Sequence, residues 1–156
     1  MPTGYLPGAV GGEIFVSLRT HAKQIGRGMA LPDGVGYAIA ELPSGRESFQ
    51  PDTSYYAGLP PLNKMRFIMG APTLAEEVRS ENDYGPVAEE EMAAKRADYF
   101  AAGTQVVWDV DPIGECVHVY RASAPAQPTT YGRGQIAEAE PAVPGWRIAV
   151  DQIFPK

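Results

Sequence analysis

The run from Pro86 to Ala102 is the clearest helix in the sequence, and the segments on either side of it decide what fold can hold it. Proline opens it, Glu89, Glu90 and Glu91 occupy the first turns where the helix dipole favours anions, and Gly103 supplies the stop. Before it, Leu74 to Ser80 reads as a strand. After it, Val106, Val107, Trp108 and Val110 make a nearly continuous apolar strand. Asp111-Pro112-Ile113-Gly114 then reads as a turn, and Cys116 to Arg121 alternates as the second strand of a hairpin. An earlier helix is predicted from Glu13, because Ile14, Leu18, Ala22 and Ile25 recur at three or four residues before Gly26-Arg27-Gly28. Met1 to Gly12 has no period and reads as an irregular lead-in. Between the helices, Val35 to Glu41 and Asp52 to Tyr56 read as short strands and Lys64 to Met69 as extended chain. Ala122 to Thr130 reads as a loop, and Ile136 to Ile153 as short strands or turns around Pro144-Gly145-Trp146. This order points to an α/β or α+β fold with a mixed sheet.

Composition narrows the class. With 156 residues, 44% of them apolar and 21% charged, one domain with its own core is expected, residues 1–156. The 17 glycines and 15 prolines imply many turns and short elements. Cys116 is the only cysteine, which excludes a disulfide framework and suits a reducing compartment. With only His21 and His118 beside it, the ligand set of a structural zinc site is lacking. A net charge of −6 argues against non-specific attraction to nucleic acid or anionic membrane, while leaving room for a local basic groove. No apolar run approaches the roughly 18 residues of a membrane helix. A soluble, cytoplasmic protein is expected.

Chemistry enters through a conflict in the strand Leu74 to Ser80. Glu76 and Glu77 are adjacent, so whichever face is buried receives a carboxylate. One glutamate is expected to face solvent and the other a site, where it must be neutral, paired or bound to a cation. Asp52, at the head of the preceding strand, is the natural second carboxylate. On the long helix, Ala88, Met92, Lys95 and Tyr99 share one stripe, which places a lysine on an otherwise apolar face. That lysine either snorkels to solvent or reaches the carboxylates on the sheet below. An Asp, Glu and Lys cluster is either a structural ion pair or a site for a hard divalent cation, which takes oxygen ligands from one or two carboxylates while a lysine orients the attacking water.

The spaced motifs carry a resemblance. Gln50-Pro51-Asp52, the run Pro72 to Ser80, the run Lys95 to Gly103 and Val107-Trp108-Asp109-Val110-Asp111-Pro112 follow one another in the order and spacing of the Uma-type restriction endonuclease family, a branch of the PD-(D/E)xK nuclease superfamily. The resemblance runs from about Val10 to Phe154. It implies a restriction-endonuclease-like mixed sheet flanked by helices, Mg²⁺ or Mn²⁺ as cofactor, DNA as substrate and a homodimer. Carried over by position, it makes Asp52 and Glu77 the metal carboxylates, adds the Val78 carbonyl as a further ligand, and makes Lys95 the superfamily lysine, placed on the helix.

The sequence departs from the family pattern at four places. Thr73 replaces an aspartate, Glu76 replaces an apolar residue, Gly11 and Gly12 stand where a histidine often precedes the first helix, and Arg79 stands where Glu-x-Lys would put its lysine. The N-terminal strand and helix that members usually carry are expected to be missing. Arginine stays protonated, so Arg79 could hold a phosphate but not act as a base. Three readings follow: a Mg²⁺-dependent endonuclease, a non-catalytic nucleic-acid-binding or interaction module on the same fold, and a structural Lys95–Glu77 pair. Among the remaining candidates, Cys116 and His118 read as a half-buried strand pair, and the Gly-Arg-Gly and Gly-Val-Gly runs as turns. Arg27, Arg133 and Glu13 read as solvated surface, and Trp108 and Trp146 as core.

Overall fold

The structure is a computed structural model that describes residues 2–156. Helix α1 spans Tyr5–Ile25 and is followed by strands β1 (Met29–Leu31), β2 (Tyr37–Ala38), β3 (Ser48–Phe49), β4 (Thr53–Tyr56), β5 (Ile68–Met69) and β6 (Leu74–Val78). Helix α2 (Pro86–Ala101) leads to β7 (Val106–Asp111), β8 (Cys116–Arg121), β9 (Ala124–Tyr131), β10 (Ile136–Glu138), β11 (Arg147–Ala149) and a short α3 (Val150–Ile153). The central sheet has the order β1-β4-β6-β7-β8-β9. Its β6 and β7 are parallel, joined through α2, and its other pairs are antiparallel. The fold is mixed α/β, as the order of the segments predicted.

Alternation along β7 sorts the two layers. Val106, Trp108 and Val110 point to the α1 side and pack with Val10, Ile14 and Leu18, while Val107 points to the other side with Ala75, Tyr37 and Tyr99. Trp108 stacks on Trp146 at 4.9 Å between ring centroids, which ties the C-terminal segment to the α1 layer. On the α2 side, Phe49 from β3 stacks on Tyr99 at 4.1 Å, which anchors the helix over the sheet.

Helix α1 begins at Tyr5, so the irregular lead-in expected over Met1–Gly12 is corrected from Tyr5 onward; Pro2 to Gly4 are irregular and Met1 lies outside the described residues. Pro7 lies in the first turn, where no intrahelical N–H bond is lost, and Val10 is fully buried. Burying Val10 and Ile14 stabilises by roughly 1.5–3 kcal/mol each, which offsets the roughly 1 kcal/mol that each of the helical glycines Gly8, Gly11 and Gly12 costs. The helix stops where predicted: Gly26 adopts φ 65° and its N–H donates to the Ala22 carbonyl at 3.0 Å.

The loop expected over Ala122–Thr130 is also corrected, since Ala124–Tyr131 forms β9. This strand lies at the sheet edge, where Pro125 and Pro128 need not donate to a further strand. The strand expected over Val35–Glu41 shrinks to Tyr37–Ala38, held between β3 and β5. No helix among the described residues is long and apolar enough to cross a membrane.

Candidate active site

The register of β4 on β6 builds the site. Thr53 pairs with Glu76 and Asp52 N–H donates to the Glu76 carbonyl at 3.0 Å, so Asp52 arrives beside Glu77 at the end of the ladder. The Asp52 carboxylate accepts the Val78 N–H at 2.7 Å. From the helix above, Lys95 Nζ reaches Glu77 Oε1 at 2.8 Å, and the buried Tyr99 hydroxyl donates to the same oxygen at 2.6 Å. Lys95 and Tyr99 are one helical turn apart, so a single face of α2 delivers both groups. Asp52, Glu77, Val78 and Lys95 thus line one cleft of about 1160 Å³.

Electrostatics in the cleft are set by crowded carboxylates. Burial, and next the neighbouring Glu77 charge, push Asp52 up to about 6, although the Val78 N–H opposes them. Glu81, Asp83 and Glu91 also line the cleft, against Arg46, Lys95 and Arg96. Arg46 is itself paired to Asp98 at 2.9 Å, and Arg96 lies over the Tyr120 ring at 4.0 Å. Two hard carboxylates with a backbone carbonyl at their side form a donor set that fits Mg²⁺ or Mn²⁺.

The two adjacent glutamates part company differently from expectation. Glu77 faces the cleft and is about a quarter exposed. Glu76 does not face solvent: it is fully buried on the α1 side beside Trp108, and neither carboxyl oxygen has a hydrogen-bond partner among the described residues. Desolvation, then the Asp52 and Glu77 charges, drive its pKa well above the ordinary value. The strand has no solvent face at this position, because α1 covers one side of the sheet and α2 the other.

Arg79 is not free for a phosphate. Its guanidinium grips Asp109 through Nε–Oδ1 at 2.8 Å and Nη2–Oδ2 at 2.7 Å, and binds Glu89 at 2.6 Å. Thr73 is likewise structural, its hydroxyl accepting the Ala57 N–H at 2.9 Å. Glu13 is exposed and lies outside the cleft lining. Arg133 is tied to Glu115 at 2.6 Å, with Asp151 and the Phe154 carbonyl around it, rather than projecting into solvent alone. Trp108 and Trp146 are core, and Cys116 and His118 are half-buried on one strand face. Sequence reasoning missed two partnerships: Tyr99 with Glu77, for which the helical spacing to Lys95 was the available signal, and Arg79 with Asp109, which only the parallel register of β6 and β7 reveals.

Comparison with known proteins follows the same lines. Residues 1–151 match the Uma2 family, described as "Putative restriction endonuclease". Among solved structures, the chain is similar to "a putative nuclease belonging to DUF820" from Anabaena variabilis ATCC 29413. The identity is 20% and the TM-score 0.76, over 99% of this chain and 82% of that one. No curated protein matches. The structural likeness supports the mixed-sheet fold, and by the match over nearly its whole length the chain belongs to the Uma2 family of putative restriction endonucleases.

Proposed function

We propose that this protein is a Mg²⁺- or Mn²⁺-dependent endonuclease that hydrolyses phosphodiester bonds in DNA. The observation that carries the reading is the placement of Asp52 and Glu77 side by side at one cleft, with Lys95 on Glu77. A structural Lys95–Glu77 pair accounts for less. Lys95 is about a third exposed, and such pairs contribute about 0–1 kcal/mol, whereas setting a second, half-buried carboxylate beside Glu77 opposes folding. Asp52 and Glu77 would be relieved of that repulsion by holding a divalent cation.

Asp52 and Glu77 would hold the ion, with the Val78 carbonyl on the same strand edge as the N–H that Asp52 accepts. When bound there, Mg²⁺ supplies Lewis-acid polarisation of a phosphoryl oxygen. Lys95, on the helix face over the cleft, orients the attacking water and carries positive charge toward the phosphate. Tyr99 fixes the Glu77 carboxylate by donating to Oε1, and Asp52 is fixed by the Val78 N–H. The departures from the family pattern leave these groups in place, since Thr73 and Arg79 are engaged in structural bonds and Glu76 lies in the core. A homodimer is part of the proposal, because two such sites would let each strand of a duplex be cut in one encounter. Light scattering tests it, with a monomer at all concentrations as the contrary result.

Calorimetric titration of Mg²⁺ and Mn²⁺ into the wild-type chain and Glu77→Ala tests the metal assignment. Binding to the first and not the second is expected. Equal binding by both places the ion elsewhere, and DNA binding that is salt-sensitive but indifferent to metal marks a non-catalytic module.

A further inference from the structure

We propose that Asp111, Cys116 and His118, on the β7–β8 hairpin, form a second metal site that takes a borderline-soft divalent ion of the Zn²⁺ class. Neither the family nor the cleft chemistry calls for it. The hairpin register sets Asp111 directly opposite Cys116, and His118 follows two residues later on the same face. One ligand atom from each residue lies within 4.8 Å of the other two. Cys116 Sγ stands 3.6 Å from His118 Nε2, close to the roughly 3.5 Å that separates sulfur and nitrogen ligands around tetrahedral zinc.

The surroundings are organised to present these three atoms. His118 Nδ1 lies 2.7 Å from Thr130 Oγ1 on β9, which orients the ring; in the tautomer with its proton on Nδ1, that proton is donated to the hydroxyl and the Nε2 lone pair is turned toward the thiol. Asp111 Oδ1 accepts the Tyr84 hydroxyl at 2.6 Å and the N–H groups of Ile113 at 3.0 Å and Gly114 at 2.9 Å. That fixes the carboxylate and leaves Oδ2 for a ligand. Gly114 has an ordinary backbone, yet a Cβ there would stand 2.6 Å from Asp111 Oδ2 and 3.4 Å from Cys116 Sγ. Space beside the ligand atoms, rather than backbone conformation, accounts for the glycine. All three residues are half-buried, which leaves an entry path.

A lone cysteine and two histidines exclude a closed zinc site, but a carboxylate from across the hairpin supplies the third donor and leaves the fourth position open. Thiolate and imidazole select the Zn²⁺ class over Mg²⁺, so this site and the cleft do not compete for one ion. On binding, the Cys116 S–H bond breaks as the sulfur–metal bond forms, and its proton goes to solvent. Thiolate and carboxylate then balance the two charges of the ion, with no change of oxidation state.

Co²⁺ titrated into the intact chain reports the ligand set directly. One ion per chain with near-ultraviolet sulfur-to-cobalt charge transfer is expected. That band should vanish in Cys116→Ser and in His118→Gln and persist in Glu77→Ala, with circular dichroism confirming that each variant folds. Thr130→Val should weaken binding about 10- to 100-fold without removing a ligand, and Gly114→Ala should weaken it as well. A wild-type chain without the charge-transfer band, a band that survives Cys116→Ser, or Co²⁺ binding lost only in Glu77→Ala overturns the proposal while leaving the cleft assignment standing.

Discussion

Arg79, the residue just past the end of β6, holds Asp109 of the neighbouring β7 in a two-pronged ion pair, with Nε–Oδ1 at 2.8 Å and Nη2–Oδ2 at 2.7 Å. Both side chains are nearly excluded from solvent. The residue that stands at the third position of a Glu-x-Lys pattern is therefore a brace between parallel strands. Arg79→Met should destabilise the fold by about 3–5 kcal/mol, because it leaves Asp109 buried without its two-pronged partner and with Arg96 no closer than 3.7 Å. Urea denaturation measures this, and a loss below 1 kcal/mol contradicts the assigned role.

Lys95 should behave in the opposite way. Lys95→Ala is expected to lower DNA cleavage about 10²- to 10⁴-fold, the usual range for a positioned proton-transfer group, while changing stability by less than about 1 kcal/mol. Cleavage assays paired with denaturation on the same preparation separate the two. A stability loss as large as that of Arg79→Met places Lys95 among the structural residues.

Tyr99→Phe isolates a single hydrogen bond. The ring keeps its stack on Phe49, so stability should fall by only about 1 kcal/mol. Glu77 loses one of the two donors on its Oε1, and Mn²⁺ affinity in the cleft should drop about 10- to 100-fold. Calorimetry with Mn²⁺ reads the second effect, and unchanged affinity removes Tyr99 from the site.

The metal-free chain should lose stability as the medium turns less acid. Burial and the Glu77 charge raise Asp52 to about 6 in the folded state, above the ordinary aspartate value. The protonated form is therefore favoured by folding. Its contribution is complete below the ordinary pKa and is lost as pH rises through about 6. Asp52→Asn should remove this part of the slope. Denaturation in chelator across that window checks it, and identical slopes for the two proteins contradict the sign.

Glu76 provides a stability test with no functional partner. Replacing it with Met removes a fully buried carboxyl group that has no hydrogen-bond partner among the described residues, at similar volume. The fold should gain about 1–3 kcal/mol. A destabilised Glu76→Met chain would mean that the carboxyl group is engaged in the folded protein.

Much of this was legible in the residues themselves. The long helix, the β7–β8 hairpin and the clash of two adjacent glutamates in a strand were all visible as patterns. Asp52, one of the adjacent glutamates and Lys95 followed from asking what a carboxylate and a lysine could do on covered faces, and the family resemblance singled out Glu77. What failed was local signal overridden by packing. Gly8, Gly11 and Gly12 disguised the first part of α1, which Val10 holds in place by burial. Two prolines disguised β9, whose position at the sheet edge makes them harmless. One of the two glutamates was expected at solvent because one sheet face was taken as open, and α1 covers it; the family pattern, in which Glu76 replaces an apolar residue, puts that acid on the core face, where it lies. The partners of Arg79 and Asp111 depend on strand register, which no single segment encodes.

Relaxation of supercoiled plasmid by purified wild-type chain and Glu77→Ala, each in Mg²⁺, in Mn²⁺ and in chelator, tests the nuclease assignment most directly. Nicking or linearisation by the wild type in metal, absent in chelator and absent in Glu77→Ala, is the expected result. Cleavage that persists in chelator, or that Glu77→Ala performs as well as the wild type, contradicts a metal-dependent site built on Asp52 and Glu77.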